Sequence, residues 1–398
     1  MSQPRIVIIG AGLGGLTAGL ALLRRDFDVD IYEQATNLKE IGAGVQLSAN
    51  GTRVLIELGL AEEIARIGTV PTSKEVRLWN TGKSWRFIDL AGSVERYGAP
   101  YYAMHRADLQ DELAKAVRRE KPDAIHLGAR CTGFRATEHD VTVQFDGAPS
   151  VTADILIGAD GIHSRIRAAL FGPDKAKFSG HMAWRALIPT ANLPASILRD
   201  GGAFWVGAGA HVVHYPIRGG KLINFIGIVE RSDWTVESWT ETGTIDEIAN
   251  DYAGWHDDIQ AMIHDIDGVP YKWALLYREP IERWSKGRVT LLGDAAHATL
   301  PFLAQGANMA IEGGYVLARA IASHREDYAA ALRAYEMARS ERTARVIRVS
   351  AEQASRVHNP ILLDPAKAEA HVAAEWEKNK VSDRYDWIYA YDALTAAV

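Results

Sequence analysis

The residues of this chain with the clearest chemical meaning are glycines. Gly10, Gly12, Gly14 and Gly15, in the segment GAGLGG, leave bare backbone where a strand-like run at 5–9 passes into helix-forming Leu and Ala. That spacing fits a dinucleotide fingerprint. The missing side chains let backbone approach a pyrophosphate and let the helix pack on the strand, and the helix N-terminus attracts the anion. Glu33 lies eighteen residues past Gly15, at the end of a second apolar run at 29–32, where a carboxylate accepts ribose hydroxyls. Together Gly10, Gly12, Gly15 and Glu33 predict an adenine dinucleotide, whereas Glu33 alone would be a solvated strand-end charge.

The fingerprint by itself does not separate NAD from FAD. A distant element does. GRVTLLGDAAH at 287–297 puts Asp294 at the carboxyl end of another strand, followed by Pro301 and by Gly306, Ala307 and Asn308 at a helix start. FAD is long enough to touch both ends of such a domain. Asp294 is then expected to hold the ribityl chain. The helix near Gly306 points its positive end at the flavin pyrimidine and stabilises the anionic reduced form. Read alone, the segment is also an ordinary strand-turn-helix with an N-capping aspartate.

The elements that must position these residues form an α/β chain. Residues 5–33 read as a βαβ opening, and 106–119 as an amphipathic helix with its charges on one face. Buried-strand text returns at 155–157 before Asp160-Gly161 and at 289–292 before Gly293. Between them, 180–273 is rich in aromatic and β-branched residues with turns at Gly201-Gly202 and Gly219-Gly220, which predicts a separate antiparallel sheet. The expected organisation is a discontinuous Rossmann-like FAD-binding domain (1–71, 98–179 and 278–345) and an inserted substrate-binding β-sheet domain (72–97 and 180–277). A C-terminal helical region follows (346–398), whose aromatic end at 386–391 packs on the body or on a second subunit in a homodimer.

Composition narrows the classes further. With 398 residues and 47% hydrophobic content the chain has ample material for a large core. A net charge of −6, with both signs interspersed, provides no basic stripe for nucleic acid. The single cysteine, Cys131, excludes an internal disulfide, a dithiol redox pair and a multi-cysteine metal site, and with them a flavin disulfide reductase. Residues 6–23 carry no charge over eighteen positions, but five of these are glycine and the run changes character at Gly10, so a strand and helix are expected rather than a membrane span. A cytoplasmic protein without a metal is the resulting expectation.

Three ordered motifs carry a resemblance: residues 10–15, DGIHSRIR at 160–167, and Gly293-Asp294. Together they resemble those of the single-component FAD-dependent aromatic hydroxylases. Gly42-Ala43-Gly44, YYAMHRADL at 101–109, YPIRGG at 215–220 and the aromatic tail are closest to the salicylate, 3-hydroxybenzoate and 6-hydroxynicotinate hydroxylases within that family. The resemblance implies FAD held by the first and third motifs, with Asp160 and Arg167 of the second helping to hold FAD and serving the nicotinamide donor. It places Arg106 near the flavin pyrophosphate and Gln46 near the flavin ring. Since no second glycine loop is visible, NADH or NADPH is expected to dock transiently as co-substrate. Reduced flavin and dioxygen then give an electrophilic C4a-hydroperoxide, which requires an electron-rich ring such as a phenol. The implied activity is hydroxylation of a phenolic aromatic or hydroxypyridine carboxylic acid, with another electron-rich ring or a non-oxygenating flavin protein as alternatives.

That chemistry calls for a base. In AHVVHYP at 210–216 an extended strand puts His211 and Tyr215 on one face and turns His214 away. His211, with an ordinary pKa of about 6.5, suits acceptance of the phenolic proton, and Tyr215 suits a hydrogen bond to the hydroxyl or carboxylate. Arg185 is a candidate partner for an acid's carboxylate or a member of a structural ion pair. Phe302, beside Pro301, predicts an apolar wall where some relatives are polar. His297 is expected to be structural. Gly313 departs from an acidic residue common after the glutamate corresponding to Glu312.

Overall fold

The structure is a computed structural model, and it describes residues 3–38, 43–231 and 241–398. Gly42 lies outside the described residues. The strand Arg5–Ile9 sits at the centre of a six-stranded sheet, between Ile155–Gly158 and Asp28–Glu33. Val289–Leu291 and Ile125–Leu127 extend it on either side, all parallel, and Ser285–Lys286 adds an antiparallel edge. The central strands are apolar and buried on both faces, as crossover helices require. Register explains how motifs separated by nearly 300 residues meet. Ile9 pairs with Gly158, and Gly158 with Leu291. Three parallel neighbours therefore end level, and the turns after them, at Gly10, Ala159-Asp160 and Gly293-Asp294, open on one edge of the sheet.

Helix Leu13–Leu23 leaves that edge and packs on the sheet and on helix Gly306–Ser323. The segment 6–23 is thus strand, turn and helix, and no helix among the described residues is long and apolar enough to cross a membrane. Gly313 gives Leu292 its room, since a Cβ there would lie 3.0 Å from the leucine side chain. Its neighbour Glu312 is fully buried with Arg339 (2.5 Å) and Arg342 (2.7 Å), and these two cations hold its carboxyl down at about 2 against the desolvation that would raise it. The triad ties Gly306–Ser323 to the thirty-residue helix Tyr328–Val357.

A second sheet has the order Tyr271–Tyr277, Lys177–Pro189, Leu222–Glu230, Ala210–Ile217, Ala203–Gly207, Ser73–Leu78, Ser84–Asp89. It differs from the expected antiparallel sheet at one junction, where Ser73–Leu78 pairs parallel with Ala203–Gly207 because it arrives from an earlier part of the chain. Two helices, Ile245–Asp251 and Asp257–His264, also stand where only strands were expected. The first begins with a capping box, Thr244 with Glu247, which is a signal present in the sequence. These helices cover one face of the sheet over Trp184, Trp205 and Phe225. The alternation of strand side chains turns Arg185, His211, Val213, Tyr215 and Ile226 to the other face. The aromatic C-terminus packs on the body: Arg345 lies over Trp387 at 3.9 Å and Arg342 over Tyr391 at 3.9 Å.

Candidate active site

One cavity of about 980 Å³ runs from the level strand ends to the open face of the seven-stranded sheet. That is near the top of the roughly 300–1,000 Å³ usual for ligand sites. At the strand ends the wall is mostly backbone. Gly10 has φ +107°, and a Cβ on it would lie 2.3 Å from the Ala159 carbonyl oxygen. A Cβ on Gly15 would lie 2.0 Å from the Gly10 oxygen, so both glycines are required by the turn itself. Gly12 differs: a Cβ there meets no protein atom within 4 Å, so this glycine keeps the cavity clear in front of the helix N-terminus. Gly12 caps that helix with no side-chain hydrogen bond, leaving the first N–H groups for an anion. Glu33 accepts the Ala11 and Ala35 N–H groups, both at 2.9 Å, which fix its carboxylate and leave further lone pairs free for ribose hydroxyls.

Across the cavity, Asp294 begins a one-turn helix after Gly293 at φ +65°. Its side chain is exposed to the cavity; desolvation by the surrounding protein raises its pKa and Arg106 draws it back. Gly306 and Ala307 present the start of an eighteen-residue helix to the same space. Gln46 also lines it, its amide oxygen accepting the Tyr101 hydroxyl at 2.6 Å. These residues fit an FAD: an uncapped helix N-terminus with cleared space for phosphates, a fixed carboxylate at one end, and a carboxylate with a second helix start at the other.

Three predicted residues sit differently. Asn308 is fully buried off the cavity wall, its amide bonding the Ser48 N–H and the Gln46 and Ala304 carbonyls, so it fastens strand Gly44–Leu47 to the helix start. Asp160 lines the cavity, but its oxygens accept from Ser164 Oγ and the Arg165 and Ile166 N–H groups, capping helix Arg165–Phe171. Arg167 turns away altogether, pairing with Asp174 and donating to the Ala295 and Ala296 carbonyls, where it braces the turn after Asp294.

At the sheet end the wall is side chains. Arg185 stacks on Trp273 at 4.3 Å, and its buried Nε has no hydrogen-bond partner. Burial lowers it to about 10, and among the described residues it has no carboxylate partner. Tyr215 follows on the same face, packed against the strand Gly44–Leu47 so closely that a Cβ on Gly44 would lie 2.7 Å from its hydroxyl. Burial raises its pKa. His211 is buried between Phe204 and Phe302, with ring centroids at 5.1 and 5.3 Å. The expected pKa near 6.5 does not hold: burial, then His358 and His181, push it well below. His214 points to the opposite face and bonds Trp205 and the Ile197 carbonyl.

The family model described as FAD binding domain matches residues 4–350. The chain belongs to this family of FAD-dependent aromatic hydroxylases. It is 38% identical over 392 residues to a 3-amino-4-hydroxybenzoate 2-monooxygenase of Streptomyces platensis, covering 98% of this chain and 97% of that protein. It is 38% identical over 360 residues to a 6-hydroxynicotinate 3-monooxygenase of Pseudomonas fluorescens, covering 88% and 91%. Among solved structures, HpxO of Klebsiella pneumoniae complexed with FAD and uric acid superposes with a TM-score of 0.83 at 27% identity, covering 99% and 97%. The chain is an FAD-dependent monooxygenase.

In this hydroxylase several wall residues carried no signal in the sequence. Lys74, from Ser73–Leu78, reaches the cavity inside a cage of Tyr101, Tyr385 and Tyr389, donating to the Tyr389 hydroxyl at 3.1 Å. Burial lowers it to about 7. Gln110 donates to the Ala11 carbonyl and steadies the glycine loop. His358, at the far end of a helix, touches His211. None belongs to a motif, and each reaches the site through packing alone. His297 is buried off the cavity against Trp284.

Proposed function

We propose that this monooxygenase hydroxylates a phenolic aromatic or hydroxypyridine carboxylic acid, with NADH or NADPH as the electron donor. The observation that carries this reading is the sheet end of the cavity. Arg185, half-buried and without a carboxylate partner among the described residues, shares one face with Tyr215 and His211, beside the end walled by Asp294 and Gly306. An aromatic acid bearing a hydroxyl complements that face: its carboxylate meets Arg185 and its hydroxyl meets Tyr215 and His211. The names of the two curated relatives support the same class, since 3-amino-4-hydroxybenzoate and 6-hydroxynicotinate are ring acids carrying a hydroxyl.

Asp294, Glu33 and the helix starts at Gly12 and Gly306 would hold FAD, which, reduced by the nicotinamide, supplies an electrophilic oxygen atom from dioxygen. The remaining work falls to this chain. Arg185 orients the ring through its carboxylate. Tyr215, kept protonated by burial, donates a hydrogen bond to the substrate oxygen. His211, kept neutral by burial, accepts the hydroxyl proton and so makes the ring a better nucleophile. Phe204, Phe302, Val213 and Ile226 line the space between and keep water from the ring.

The test is a screen of salicylate, 3- and 4-hydroxybenzoate, 6-hydroxynicotinate and 3-amino-4-hydroxybenzoate for stimulated NADH and NADPH oxidation, with product analysis to separate hydroxylation from peroxide release. At least one of these is expected to give a hydroxylated product. His211→Ala is expected to keep FAD and lose at least about 100-fold in coupled turnover. Unchanged coupling in that variant removes His211 from the chemistry.

A further inference from the structure

Behind His211 the structure continues as a chain of proton-carrying groups that leads out of the cavity. His211 Nδ1 lies 2.7 Å from His358 Nε2, and His358 Nδ1 lies 3.0 Å from Glu230 Oε1. His211 and His358 are buried, while the Glu230 side chain is 53% exposed, so the chain of three has one end at the cavity wall and the other in solvent. Two of the elements are consecutive strands and the third is distant in sequence. His211 comes from Ala210–Ile217 and Glu230 from the end of Leu222–Glu230, while His358 caps the helix Tyr328–Val357.

The tautomers follow from the exposed end. An ionised carboxylate only accepts, so His358 must carry its proton on Nδ1 and donate it to Glu230. A neutral His358 then has an unprotonated Nε2, which accepts from His211 Nδ1–H. That leaves His211 Nε2 as the lone-pair nitrogen, and it makes no hydrogen bond among the described residues. A single assignment satisfies every contact and gives His211 the form a base needs.

We propose that His358 and Glu230 form a relay that carries the substrate's hydroxyl proton from His211 to solvent. This rests on the reading of His211 as the base. As the hydroxyl O–H bond breaks, the proton binds His211 Nε2. The His211 Nδ1 proton passes to His358 Nε2, and the His358 Nδ1 proton passes to Glu230, which releases it to water. One proton leaves and no imidazolium remains in the interior. The reverse movement resets both tautomers when the product is protonated for release. His358 and Glu230 are positioning residues, acting through His211.

The need for a relay is electrostatic. Burial pushes His211 well below its ordinary range and His358 to about 3. The remaining titratable neighbour is His181, whose ring lies 5.3 Å from that of His358 and whose Nδ1 sits 2.9 Å from the Ser179 carbonyl. His181 adds repulsion toward a charged His358, and Glu230 meets His358 only at its outer nitrogen. The other walls, Phe204 and Phe302, supply no charge. A proton stopped at His211 would therefore be a poorly stabilised charge, and passing it on avoids that cost.

The holoenzyme variants His358→Phe and Glu230→Gln test this, with His211→Ala beside them. Coupled hydroxylation is measured across pH with the best substrate of the screen, with the solvent deuterium isotope effect on kcat. His358→Phe is expected to retain FAD and a KM within about twofold, lose about tenfold or more in kcat at neutral pH, and recover as pH rises and the substrate enters ionised. Glu230→Gln, at a side chain that faces solvent, is expected to lose about threefold in kcat and to alter the isotope effect. A wild-type kcat, pH profile and isotope effect in either soluble variant, with His211→Ala inactive, overturns the relay and leaves His211 as a base. Wild-type coupled turnover in His211→Ala instead overturns the underlying reading.

Discussion

The two ends of the cavity are built from different materials. At the strand ends the ligand-facing groups are backbone N–H groups, helix starts and glycines that clear space, and two carboxylates, Glu33 and Asp294, stand at element ends. At the sheet end they are side chains from separate strands and helices: Arg185, His211, Tyr215, Lys74 and, behind them, His358. At Gly10 and Gly15 the backbone leaves no room for a Cβ, because strand and turn have no rotamer with which to yield. A side-chain site allows individual groups to change while the frame stays.

The largest effect is expected at the backbone end. Gly10→Ala puts a Cβ 2.3 Å from the Ala159 carbonyl oxygen at φ +107°, so flavin should be lost by about 100-fold in affinity or more, some 3 kcal/mol. Flavin absorbance of the purified protein and FAD titration read this directly. A variant as yellow as its parent would break the contrast between a rigid end and a yielding one. An intermediate effect is expected for Arg185→Met. KM for the carboxylate substrate should rise about 30-fold, roughly 2 kcal/mol, with FAD content unchanged. The same phenol without its carboxylate should show no such change, and an equal loss for both compounds would assign Arg185 to packing.

The smallest effect is expected at Lys74. Lys74→Met should alter KM by less than about threefold, because the ammonium already has the Tyr389 hydroxyl and three aromatic rings as partners. Its stability effect has a definite pH dependence. Burial lowers the folded pKa from 10.5 to about 7, so the folded protein disfavours the charged form. The methionine variant should be more stable than its parent at pH 7 and below. That advantage should shrink as pH rises above 7 and vanish only above 10.5, where lysine is neutral folded or unfolded. Melting temperatures across that range check the sign, and a less stable variant at neutral pH would make Lys74 a net stabiliser of the aromatic cage.

What could be read from the sequence follows the same division. The glycine loop, Glu33 and Gly293-Asp294 were legible because a phosphate cradle imposes residue types at fixed local spacing. His211 and Tyr215 were legible only as a face of a strand, since period-two alternation gives direction without giving surroundings. Asn308 and Asp160 carried motif positions, yet their polar atoms are taken up by backbone partners that no local spacing announces. Lys74, Glu230 and His358 belong to no motif, and the distance from His358 to His211 depends on how a thirty-residue helix crosses a sheet laid down some 150 residues earlier.

By itself, then, the sequence determined the cofactor class and the ordering of α/β elements, because backbone conformation and hydrophobic period are local properties. The tertiary structure alone decided which cation faces the cavity without a carboxylate partner among the described residues, which way burial moves His211, and what stands behind it. Those depend on solvent exclusion and on contacts between elements distant in the chain, and neither is written in any single stretch of residues.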